Sequence, residues 1–174
     1  MKTKISSIRC MLSLFVLLSG VALPQIARAG HTNAVLSTEL DGRAEVPSNA
    51  SNNRMVGDPD GMGSAYVFGV DGDPKTLCYV LEVSELQLVP VGDGMAAHIH
   101  EGTAGENGPV VVALAGPEDG NAGDCLTEGE EGKFPTGEAG LVQRILTNPE
   151  NFYINVHNPE FPDGAIRGQL MAID

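Results

Sequence analysis

The chain has 174 residues, with 22 Gly, 11 Pro, 5% aromatics and no Trp, a composition that fits one turn-rich β domain better than a helical bundle. Its formal net charge of −13 argues against nucleic acid and anionic membranes as partners. No G-x-S-x-G elbow, P-loop or dinucleotide fingerprint occurs, so the common nucleophile-elbow and nucleotide-binding classes are excluded.

Residues 1–29 read as a secretory signal peptide. Lys2, Lys4 and Arg9 form a basic start, Cys10 to Leu23 an apolar run, and Ala27-Arg28-Ala29 an A-x-A cleavage site. The run is short for a membrane span, and no stop-transfer pattern follows. The expectation is an exported protein, periplasmic or extracellular, whose mature domain covers residues 30–174 without a span. Cleavage removes four basic residues (Lys2, Lys4, Arg9, Arg28) and no acid, moving the net charge from −13 to −17.

In the mature region, Ala34 to Asp41 alternates loosely and predicts a first strand. Residues 42–63 are rich in Gly, Asn, Ser and Pro and predict a long loop or irregular edge. Ser64 to Val70 and Thr76 to Glu85, separated by Asp71-Gly72-Asp73-Pro74, predict a hairpin. Met95 to Glu101 is a fourth strand and Val110 to Leu114 a fifth, with a glycine-rich loop between them. Ala115 to Glu138 is acidic and Gly-rich, and reads as a mobile surface loop. Leu141, Val142, Ile145 and Leu146 repeat as one face of a short helix that ends at Asn148-Pro149. Phe152 to His157 and Ala165 to Ile173 complete about seven strands. The fold class expected is all-β: a Greek-key sandwich or barrel with one short helix before the penultimate strand.

Two cysteines remain after cleavage, Cys78 and Cys125. In an exported chain they predict one disulfide closing a loop of about 47 residues, with a pair of metal-binding thiols as the alternative. The Asp58-x-Asp60-Gly61 and Asp71-Gly72-Asp73 stretches lack the later bidentate Glu of a calcium loop and read as turns.

Three of the four histidines gather in two stretches, His98 and His100 in one and His157 in the other; His31 lies near the cleavage point. On a strand, His98 and His100 share a face about 6.5–7 Å apart, while Ile99 points into the core. Tyr153, Asn155 and His157 share a face of the later strand. If the two faces meet, three neutral imidazoles converge, a donor set suited to copper(II) or to zinc with an open position. Glu101, Asn155, Arg167 and Gln169 are the candidates for orienting the rings. The competing expectation is purely structural: histidines that fasten loops around a polar groove.

The segments AHIHEGTAGENGPVV, NP after the helix, and YINVHNPEFPDGAIRGQL together resemble the CHRD domain, named after chordin and found also in bacterial exported proteins. Leu40, Glu45-Val46-Pro47, Gly63-Ser64-Ala65 and Thr76-Leu77-Cys78-Tyr79 match its earlier motifs in order, so the resemblance covers about Ala34 to Ile173. It implies a β-sandwich-like module with no catalytic activity to carry over. Chordin-like animal proteins hold it beside domains that bind growth factors, which implies an extracellular macromolecular partner. More distantly, the two-histidine strand is similar to the copper strand of copper/zinc superoxide dismutases, although their zinc-binding histidine loop has no evident equivalent here. The expected function is thus a binding module, with copper or zinc on His98, His100 and His157. An interaction domain without metal is one alternative, and a copper redox enzyme the other.

Overall fold

The computed structural model describes residues 34–48, 55–90 and 92–173. The expected signal peptide and His31 lie outside these residues. Nine strands and one α-helix are present among them: β1 (Val35–Asp41), β2 (Met62–Val70), β3 (Asp73–Ser84), β4 (Ala96–Glu101), β5 (Val110–Leu114), β6 (Asn121–Thr127), α1 (Leu141–Thr147), β7 (Phe152–His157), β8 (Ile166–Gln169) and β9 (Met171–Ala172). All pairings are antiparallel, in the order β5-β4-β7-β8-β1-β2-β3-β6, with β9 beside β1. The two ends of this order, β5 and β6, approach each other, so the sheet curls into a nearly closed all-β barrel.

Strand alternation fills the interior. Leu36 and Leu40 from β1, Val67 from β2, Leu77, Tyr79 and Leu81 from β3, Ile99 from β4, and Ile154 and Val156 from β7 are all buried in one cluster. Helix α1 adds Leu141, Val142, Ile145 and Leu146, the four positions of its apolar face. Gly140, at its N-cap, carries no capping side chain. Instead the Glu128 carboxylate accepts from the Gly140 and Val142 N–H groups at 2.9 and 2.8 Å. That contact satisfies orphan donors of the first turn with a charge of the favourable sign.

Two sequence expectations change. The acidic segment from Ala115 to Glu138 is not simply a surface loop: it contains β6, paired along its whole length with β3. Only Leu126 of this strand is buried, so no alternating pattern marks it. Its pairing places Cys125 directly opposite Cys78, and the two form the expected disulfide. The backbone N–H groups of Asn121, Cys125 and Thr127 donate to the carboxylates of Asp119, Asp124 and Glu130. Phe134, further along the segment, is buried, and the Lys133 carbonyl accepts from Ala113 of β5.

The final predicted strand is also divided. Ile166–Gln169 pairs with β7 and touches β1 at Asp41, whereas Met171–Ala172 pairs with the start of β1. The Leu170 N–H still donates to the Phe152 carbonyl, in register with the β7 ladder, and from Met171 onward the pairing passes to β1.

Candidate metal centre

Strands β4 and β7 lie side by side, with His98 opposite Asn155, His100 opposite Tyr153 and Ala96 opposite His157. His157 is therefore the diagonal neighbour of His98, within side-chain reach on a shared face. Ala97 and Ile99 take the inner face and are fully buried, so the histidines occupy the outer face. The ring centroids are 5.7 Å apart for His98 and His100, 5.3 Å for His98 and His157, and 6.3 Å for His100 and His157. One nitrogen from each ring lies within 4.8 Å of the other two. Even an equilateral triangle of that side has its centre about 2.8 Å from each corner, so a common point lies within that distance of all three. Contraction of about 0.7 Å per ligand would reach the 2.0–2.1 Å of a zinc–imidazole bond.

Loop carbonyls orient two of the rings. His100 Nδ1 is 2.9 Å from the Gly108 carbonyl, and His157 Nδ1 is 3.1 Å from that of Pro162. A carbonyl only accepts, so each Nδ1 carries the proton and each Nε2 keeps its lone pair. Those Nε2 atoms, and Nδ1 of His98, are buried without a hydrogen-bond partner. Buried polar atoms are seldom left so, and here each of the three rings contributes one.

The site favours uncharged rings. Burial pushes His98 down to about 4, assisted by His157 and His100. Burial also lowers His100 and His157, against the opposing effects of the Gly108 and Pro162 carbonyls.

Tyr153 builds the floor beside His100. Its ring stacks on the imidazole at 4.8 Å with a 12° interplanar angle, and the Arg167 guanidinium carbon lies 3.4 Å from the Tyr153 ring centroid. The Tyr153 hydroxyl accepts from the Gly108 N–H at 3.1 Å. Gly108 is thus held at both its N–H and its carbonyl. A Cβ there would lie 1.6 Å from the Glu101 carbonyl oxygen, so only glycine permits this approach.

The hydrogen bonds of the four residues expected to orient the rings go to groups other than the imidazoles. Glu101 lies on the opposite face of β4 and forms a bidentate pair with Arg144, at 2.7 and 3.1 Å. Arg167 donates to Thr103 O, Glu106 O and Asn107 Oδ1. Gln169 donates to the Gly102, Glu150 and Phe152 carbonyls. Asn155 borders the site, and its Nδ2 faces Glu45 Oε2 at 3.4 Å. Glu45 is buried there, and burial pushes its carboxyl up to about 7, moderated by Arg167 and Asn155. Its place 110 residues from Asn155 left no local signal of this contact. Tyr153 was visible by strand parity, but loop carbonyls as ring partners have no side-chain signature.

The geometry defines an all-β barrel bearing a three-imidazole cluster on its outer wall, a group that can hold a metal ion. A family model for the CHRD domain matches residues 36–170, and the chain belongs to that family. No curated protein and no solved structure matches the chain.

Proposed function

We propose that this protein is an exported CHRD-domain module, mature from residue 30, that binds copper(II) or zinc through His98, His100 and His157. The observation that carries this reading is the convergence of the three rings, which offer one nitrogen each within 4.8 Å of one another, and each of which has a buried nitrogen without a partner. The donor chemistry is selective. Three neutral imidazoles suit borderline transition metals, whereas calcium and magnesium require oxygen ligands. The disulfide and the family agree with an oxidising, extracytoplasmic location.

A second reading is favoured by the ring-to-carbonyl bonds: His100 and His157 tie down the loops after β4 and β7, and the domain serves as an interaction module for an extracellular macromolecule. His98 separates the two readings. Its Nδ1 has no loop partner, so a purely loop-fastening role leaves it unexplained. A copper redox enzyme is the third reading, and it adds the requirement of an open coordination position.

The test is elemental analysis and calorimetric titration of the untagged mature domain with copper(II) and with zinc. About one equivalent should bind, with a rise in melting temperature through ligand linkage. His98→Ala should abolish both. Absence of binding and unchanged melting under excess of either metal would overturn the metal reading.

A further inference from the structure

A surface cavity of about 330 Å³ borders two of the three histidines, His100 and His157. Asn155, Tyr153, Asn107 and Asp163 are among its other walls. Asn155 is only 4% exposed, yet its Oδ1 has no hydrogen-bond partner. Its Nδ2 is directed to Glu45, which leaves Oδ1 as the unused end of the amide. An unpaired buried acceptor is unfavourable, and any ligand that donates to it relieves that cost. The wall holds one carboxylate, Asp163, and neither lysine nor arginine. The wall side chains therefore favour a small neutral donor, and an anion would have to draw its affinity from the metal alone.

We infer that this cavity is the open coordination side of the histidine centre, holding an exchangeable water-class ligand (a small neutral molecule with an O–H or N–H) that donates to Asn155 Oδ1. The inference rests on the metal-binding reading above. Three imidazoles leave at least one position of a four-coordinate ion free. A ligand entering between His100 of β4 and His157 of β7 meets Asn155 on the sheet face that these residues share. Asn155 is then a positioning residue: it holds the exogenous molecule and leaves the metal to the rings. A centre built this way is reachable by small molecules, a property that a closed structural metal site lacks.

The experiment uses the copper(II)-loaded mature domain. Water-proton relaxivity reports an exchangeable aqua ligand, and azide, followed by electron paramagnetic resonance, is the competing probe. The wild type should show relaxivity well above that of copper bound in a coordinatively saturated chelate, and azide should suppress it. Azide has no proton to give at neutral pH, so it gains nothing from Asn155. Asn155→Leu should keep its copper but bind azide about fivefold more tightly, because the competing water has lost one acceptor. Copper bound with no excess relaxivity and no azide response would overturn this inference while leaving the metal site standing. A change of less than twofold in Asn155→Leu would remove Asn155 from it. Failure to bind copper at all would instead refute the underlying metal reading. The relaxivity and azide measurements on the wild type need no variant, so misfolding of Asn155→Leu would not shield the idea.

Discussion

Acid should destabilise the metal-free protein through His98 in particular. In the unfolded chain this ring titrates near 6.5, whereas burial in the fold, with His157 and His100 nearby, holds it down to about 4. Between those values the unfolded chain takes up a proton that the folded one refuses. The ring's contribution is therefore intact above about pH 6.5 and is lost as pH falls toward 4. A fall of about 2.5 at 1.36 kcal/mol per pKa unit corresponds to about 3.4 kcal/mol. Part of the ring meets solvent, and screening reduces the figure to about 2 kcal/mol. The assay is urea unfolding with chelator present, at pH 7 and pH 4, for the wild type and His98→Asn. The wild type should lose about 2 kcal/mol more than the variant across that interval. Histidine ring resonances followed by NMR give the same answer directly. Equal losses in the two proteins, or a His98 ring titrating near 6.5, would refute the argument that burial neutralises the cluster.

Replacing Cys78 and Cys125 together by Ser should lower unfolding stability by up to about 4 kcal/mol, the chain-entropy value for a 47-residue loop, read by urea unfolding. Because the bridge joins β3 to β6 and not the histidine strands, metal affinity of the folded variant should change by less than threefold. Glu101→Gln should also leave metal affinity unchanged, since Glu101 faces Arg144; the loss of this partly exposed pair should cost at most about 1 kcal/mol in thermal unfolding. A tenfold loss of metal affinity in Glu101→Gln would restore it as a residue that orients the rings.

Period-two alternation made most of the barrel legible. It assigned Ile99 to the core and His98 and His100 to the opposite face, and it grouped Tyr153, Asn155 and His157. The short helix followed from four apolar residues at helical spacing. What stayed hidden depends on distant partners. Strand β6 is mostly solvent-exposed, and it exists because β3 offers a ladder and Cys78 a bond. Likewise, the partners of the imidazoles are main-chain carbonyls in loops, which any residue type supplies. The expected orienting side chains were suitable in chemistry, yet Glu101 fell on the wrong parity, and Arg167 and Gln169 were already committed to carbonyls across the fold.

The acidic side chains along β6 bear on how copies of this protein meet one another. A strand at the margin of a sheet presents main-chain donors to which a second molecule could add a strand of its own. Here Asp119, Asp124 and Glu130 occupy three such donors, on Asn121, Cys125 and Thr127, from within the same chain. An incoming strand would have to displace three carboxylates and then lie against their charge. On the other margin, the Lys133 carbonyl takes the Ala113 donor of β5. Part of the negative charge of the chain is thus placed on the one margin where strand addition from a second molecule would have to overcome it.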